Sequence, residues 1–182
     1  MKDTLFLQKL KKYGIENEIP NISQTNAYFL RDLIKIQKTK NMLEIWTANG
    51  YSSIHFAYEL EKNSWKLTTI EFSKLSYDTA RENFKIAWVD EIIHAMLWNA
   101  LDILPLLDET YDFVFIDGMK RRTKDFLELV WNKVPNGGII IIDDVIKFRE
   151  KMIWLWDYLE INSIIYNVLP IDGDDGILMI IK

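Results

Sequence analysis

The hydrophobic positions of this chain fall into two rhythms. Before residue 41 they recur at helical spacing. This predicts an amphipathic helix near Thr4 to Tyr13 and another near Ser23 to Gln37, with Ser23 placed as its cap. From Asn41 on, short apolar runs alternate with longer segments of helical period. "NMLEI" precedes Ser52 to Glu61, "KLTTIE" precedes Lys74 to Ile86, and "EIIHAML" precedes Ala100 to Leu107. "YDFVFID" then precedes Arg122 to Asn132, and "GGIIIID" precedes Lys147 to Leu159. Runs that are apolar throughout suit strands of a parallel sheet covered on both faces. Strand and helix in alternation predict a doubly wound α/β fold. The last two runs, "SIIYNVLP" and "DGILMIIK", are joined only by "IDGD", too short for a parallel crossover. The mostly parallel, seven-stranded sheet is therefore expected to end in an antiparallel C-terminal hairpin. With no repeat or linker, residues 1–182 read as a single domain, helices in 1–40 and the α/β core in 41–182.

Composition narrows this picture. A chain of 182 residues is long enough for a substantial core, and 49% hydrophobic with 27% charged residues is ordinary for a soluble domain. The apolar runs are far shorter than the roughly 20 residues a membrane helix needs. The start, "MKDTLFLQKLKKYG", lacks the long apolar core and small-residue cleavage site of a signal peptide. There is no cysteine, hence no disulfide framework and no thiolate chemistry. Together these predict a cytoplasmic protein with no membrane partner. A net charge of −5 argues against a broad nucleic-acid surface and leaves only the local run "KRRTK", Lys120 to Lys124.

In such sheets ligands bind beyond the carboxyl ends of the strands, near the point where strand order reverses. The polar strand ends are therefore the candidates. Glu71 ends "TTIE" roughly 20 residues after a tight turn, placed either to accept ribose hydroxyls or to sit as a solvated acid. "TANGYSS" offers small residues and Gly50, so backbone can approach a ligand before a helix begins. Asp117, Asp143 and Asp144 end two strands and converge on one rim. They suit a hard cation such as magnesium, unless Asp143 or Asp144 simply caps the next helix. Lys120 is a candidate general base or one member of a basic surface run. His55 lies in an apolar helix segment and His94 inside a strand, so both read as packed or exposed, not catalytic.

Joined in order, these segments resemble the class I S-adenosylmethionine-dependent methyltransferases, closest to the catechol-O-methyltransferase-like bacterial O-methyltransferases. "LEIWTANGYSS" resembles the family's LEIGTxxGYS and "TTIEFS" its acidic strand end. "LWNALDILP" is similar to LxGDAxxxLP, "YDFVFIDGMK" to FDxVFIDxxK, and "NGGIIIIDDVI" to PGGxIxxDNVL. "VLPIDGDDGILMIIK" looks like the closing hairpin. The resemblance covers about seven-eighths of the chain and implies a Rossmann-like fold. It also implies that Glu44, Trp46, Thr47, Asn49, Gly50 and Ser52 line the amino-acid end of S-adenosylmethionine. Glu71 would hold the ribose, and Trp98, Asn99 and Ala100 would flank the adenine, with Asp117 beside the cofactor. In metal-dependent members the positions of Asp117, Asp143 and Asp144 hold magnesium or calcium, and the lysine matching Lys120 helps deprotonate the acceptor. Asp144 departs from the family, which usually has asparagine there. The implied acceptor is a small-molecule hydroxyl, with a tRNA hydroxyuridine or a non-catalytic binding role as alternatives. Relatives are often homodimers.

The tryptophans disturb this match. Trp46 and Trp98 stand where the family has glycine, Trp88 stands at a helix-ending glycine position, and Trp65 falls in a turn. Trp154 is a fifth, weaker case, whereas Trp131 and Trp156 occupy apolar helix positions. Glycine and tryptophan both number seven. Exchanging those five would restore glycine to its usual share of about 7%. The pattern predicts UGA recoding: codons read as glycine in the source and written here as tryptophan. It also predicts that this chain binds S-adenosylmethionine poorly, since indoles at 46 and 98 overfill the site.

Overall fold

The computed structural model describes residues 2–61 and 65–182. Two N-terminal helices, α1 (Lys2–Glu16) and α2 (Gln24–Gln37), lead into the α/β part. The Ser23 hydroxyl caps α2 by accepting from the Asn26 amide at 2.9 Å, as its place before the apolar stripe predicts. The strands are β1 (Asn41–Ile45), β2 (Lys66–Glu71), β3 (Ile93–Leu97), β4 (Phe113–Ile116), β5 (Ile139–Ile142), β6 (Asn167–Leu169) and β7 (Ile177–Ile181). The helices between them are α3 (Tyr51–Leu60), α4 (Lys74–Ile86), α5 (Ala100–Ile103), α6 (Thr123–Trp131) and α7 (Ile153–Ile161).

The sheet order is β3-β2-β1-β4-β5-β7-β6. The first five strands pair in parallel, and β7 runs antiparallel to both β5 and β6. The expected C-terminal hairpin is present. Two expected helices are broken. Pro105 lacks the amide that a continuing helix would use, so the segment from Ala100 is a single α-turn followed by a 3-10 turn, Leu104–Leu106. The segment after β5 opens with a 3-10 turn, Arg149–Met152, before α7.

Side chains alternate across the strands, so each face carries its own core. Met42, Phe113, Phe115, Ile139 and Ile141 pack beneath α1 to α4. Leu43, Ile45, Val114, Ile116, Ile140 and Ile142 pack beneath α5 to α7. Strands buried on both faces explain why these runs lack a polar alternation. The strand order reverses between β1 and β4, which places the functional rim at the carboxyl ends of these two strands and their neighbours.

Candidate active site

The loop leaving β1 is held from below by Glu44. This carboxylate is fully buried and accepts hydrogen bonds from Ser52 Oγ and Thr69 Oγ1, each at 2.6 Å, and from Ser53 Oγ. Burial pushes its pKa up to about 7 against the opposing pull of the three hydroxyls. With both oxygens engaged inside, Glu44 and Ser52 brace the start of α3 and do not reach outward to a ligand. Thr47 does the same from the loop, sharing a 2.7 Å hydrogen bond with Thr69. Asn49 turns inward as well: its Oδ1 accepts from the Tyr51 amide at 3.2 Å, while its Nδ2 is buried without a partner. Gly50 has φ +84, and a Cβ there would press into the Phe84 ring, so glycine is required at that position.

Glu71 ends β2 beside this loop. Its Oε2 accepts from the Ala48 amide at 3.0 Å and its Oε1 from the Ser73 amide at 2.8 Å. The expected meeting of Glu71 with the β1 loop is therefore realised, and one lone pair on each oxygen is left for a further donor. Asn99 caps α5 by accepting from the Leu101 amide at 3.1 Å, and Ala100 is buried next to it. The space between these groups is filled. Trp46 has φ +91 and its ring lies 5.5 Å from that of Phe72. Any Cβ on Gly118 would collide with the same indole. Ile45, Phe72, Trp98, Asn99 and Met119 enclose with it only about 10 Å³ of free volume.

The acidic rim lies on the β4–β5 side. Asp117 and Asp143 follow the ends of these strands and Asp144 comes next. Lys120 lies among them, with its Nζ 2.9 Å from Asp117 Oδ1 and 2.7 Å from Asp144 Oδ2. It also donates to the backbone carbonyls of Asp117 at 3.1 Å and Asp143 at 3.3 Å. Burial alone would lower the Lys120 pKa, but Asp117 and Asp144 outweigh it and raise it above the usual lysine value. This pairing favours the ammonium form, the opposite of the lowered pKa that the expected general-base role needs. Burial raises the pKa of Asp117, with Lys120 opposing, and raises that of Asp143 further with help from repulsion by Asp117 and Asp144. The implied magnesium or calcium set of Asp117, Asp143 and Asp144 does not fit an ion in this arrangement. Among the described residues no three His, Cys, Asp or Glu side chains are placed to hold one; the Lys120 ammonium lies between the Asp117 and Asp144 carboxylates, and Asp143 Oδ1 is taken by Asn26.

Two contributors escaped the sequence reading. Asn26 donates to Asp143 Oδ1 at 3.0 Å from α2. Its signal was a polar residue on the buried stripe it shares with Leu30 and Ile34. Asp175, in the β6–β7 loop, accepts from the Ile146 and Lys147 amides at 3.1 Å each and so ties this loop to the rim. A cavity of about 390 Å³ opens here, bordered by Lys11, Asp117, Asp143, Asp144, Lys147 and Asp175. A larger one, about 670 Å³, lies among α1, α2 and α3; its walls include Tyr28, Tyr51 and His55, and the β4 and β5 carboxylates take no part in it. His55 is buried there with its pKa pushed down to about 4, first by burial and then by Arg31 and Lys11. It is a packed, neutral imidazole, as expected; His94, at the sheet edge on β3, is exposed.

Comparison with known proteins agrees with this architecture. The chain is 30% identical over 131 residues to the catechol O-methyltransferase of Niastella koreensis, covering 70% of this chain and 59% of that protein. It is 32% identical over 143 residues to tapetum-specific methyltransferase 1 of Arabidopsis thaliana, covering 76% and 60%. The chain thus spans about 60% of the length of the curated relatives it matches. The crystal structure of the Bacillus cereus O-methyltransferase in complex with SAH superposes with a TM-score of 0.82 at 26% identity, covering 97% of this chain and 90% of that one. The O-methyltransferase family model matches residues 1–152, and the chain belongs to that family.

Proposed function

We propose that this fold transfers the methyl group of S-adenosylmethionine to a hydroxyl of a small phenolic acceptor. The observation that carries the reading is the meeting of Glu71 with the β1 loop at the strand-order reversal, adjoining a charged cavity at the β4 and β5 ends. A nucleoside laid across the β1 and β2 ends would offer its ribose hydroxyls to the free lone pairs of Glu71, with Asn99 and Ala100 at its base. The sulfonium would then face the cavity bordered by Asp117. The acceptor class is supported by the relatives, one of which is named for catechol.

Methyl transfer needs an electron-rich acceptor oxygen in line with the carbon–sulfur bond. The Lys120 ammonium donates to that oxygen and stabilises the negative charge developing on it, which eases loss of its proton. The proton passes to the surrounding carboxylates, of which Asp144, with a third of its side chain exposed, is the most open. The chain as written binds the cofactor poorly, because the Trp46 indole occupies the nucleoside cleft. The test uses Trp46→Gly with labelled S-adenosylmethionine and a panel of catechols. Labelled methyl ethers are expected, and Lys120→Met in that background is expected to lower kcat about a hundredfold with SAH affinity unchanged. If Trp46→Gly folds but does not bind SAH, the reading fails and a non-catalytic binding domain takes its place.

A further inference from the structure

The seven tryptophans do not stand in equivalent places. Trp131 and Trp156 pack against the core beneath α5 to α7, and each carries a cation on its ring: Lys182 at 5.2 Å from Trp131 and Arg149 at 4.1 Å from Trp156. Trp65 packs partly against the core beneath α1 to α4, next to residues 62–64, which lie outside the described residues. Trp98 and Trp154 leave half or more of their surface exposed, and neither has a left-handed backbone.

Trp46 and Trp88 differ from all of these: both have left-handed φ, +91 and +60. That region is a genuine outlier for a bulky side chain and costs glycine nothing. At 88 the local geometry is explicit. Helix α4 ends at Ile86 with Ala87 as its cap. The Trp88 amide then donates to the Lys85 carbonyl at 3.1 Å and the Val89 amide to the Phe84 carbonyl at 3.0 Å. These two bonds form the helix-ending motif whose left-handed residue is usually glycine, and its accompanying apolar contact is supplied by Val89 and Phe84, both buried. The Trp88 indole is 86% exposed, so no packing rewards its presence. At 46 the backbone makes the same demand, and the indole lies among Phe72, Trp98 and Met119 with about 10 Å³ left free beside it.

We infer that the functional protein carries glycine at 46 and 88, and that these tryptophans are UGA codons which its own cells read as glycine. Equal numbers of glycine and tryptophan, seven each, fit such a transfer from one residue to the other. The inference at 88 stands on backbone geometry alone. Its consequence at 46, an opened nucleoside cleft, rests on the proposed cofactor role.

Three readouts separate the two. The first is the gene: UGA at 46 and 88 with UGG at 131 and 156 is expected, and UGG at 46 and 88 overturns the inference. The second is Trp88→Gly, which lies outside the cleft and is expected to raise Tm by about 2–4 °C; an unchanged or lowered Tm counts against a glycine backbone there. The third is calorimetric titration of Trp46→Gly with SAH, where affinity is expected to rise about tenfold or more over the chain as written. UGA codons and a stabilised Trp88→Gly without a gain in SAH affinity would uphold the glycine assignment and defeat the cofactor reading instead.

Discussion

Glu44 shows how a single buried group can set the pH response of the whole loop. Its pKa in the folded chain is raised from 4.5 to about 7, so folding favours the protonated form. The stability it contributes is fully present below pH 4.5 and is lost as pH rises through about 7. The magnitude is on the order of 3 kcal/mol, since one pKa unit corresponds to about 1.4 kcal/mol. Glu44→Gln keeps an acceptor for the serine and threonine hydroxyls and removes the titration. Urea unfolding of both proteins at pH 5 and pH 8 should show the gap between them shifting toward the variant at the higher pH. Asp117 and Asp143 also have raised pKa values but remain in both proteins, so the difference reports Glu44 together with its repulsion by Asp117. A gap independent of pH would mean that Glu44 is ionised in the fold. The sequence placed this residue near the end of β1, and the family resemblance set it at the amino-acid end of the cofactor; its hydrogen bonds to hydroxyls were not legible. Which way a strand-end side chain turns depends on the hydroxyls that α3 and β2 bring to it, and Thr69, on β2, lies outside the stretch that singled out Glu44.

Among the elements, the strands were legible and the helix ends less so. Runs such as "GGIIIID" and "YDFVFID" carry their burial on both faces in plain sight, and each holds its predicted strand. The breaks at Pro105 and before Ile153 reflect local backbone geometry that apolar spacing does not encode. The amino-terminal ends of the strands, opposite the site, have their own fastening, which periodicity also missed. The Asp112 carboxylate accepts from the Lys40 amide at 2.9 Å and the Asn41 amide at 3.1 Å, and the Asp112 carbonyl accepts from Ile139 at 2.9 Å. One residue thereby registers the starts of β1, β4 and β5. Asp112→Ala strands two amides at the beginning of β1 and is expected to cost roughly 1–2 kcal/mol, read as a lower urea midpoint. SAH affinity in the Trp46→Gly background should be unchanged, because the fastening lies at the far end of the strands. A midpoint within a few tenths of a kcal/mol of the parent would show that water replaces the carboxylate fully.

For the whole molecule, charge bears on the choice between the two acceptor classes left open by the sequence. Among the described residues, no helix is long and apolar enough to cross a membrane. The run from Lys120 to Lys124 was the one feature favouring RNA. In the fold, three of its four cations are already paired: Lys120 with Asp117 and Asp144, Arg122 with Asp125, and Lys124 with Asp125 and Glu128. Lys120 is also largely buried, pointing inward to the rim. A phosphate backbone is held by unpaired surface cations that release counterions, and a net charge of −5 supplies a field of the wrong sign around the cleft. The cavity of about 390 Å³ between the rim and Lys11 matches a small aromatic acceptor in size, near the lower end of ordinary ligand pockets. Trp46→Gly incubated with tritiated S-adenosylmethionine should therefore place label on a catechol and none on bulk tRNA. Label recovered in tRNA at physiological salt would reverse the choice, because it would require an RNA path past a run in which three of four cations are already paired.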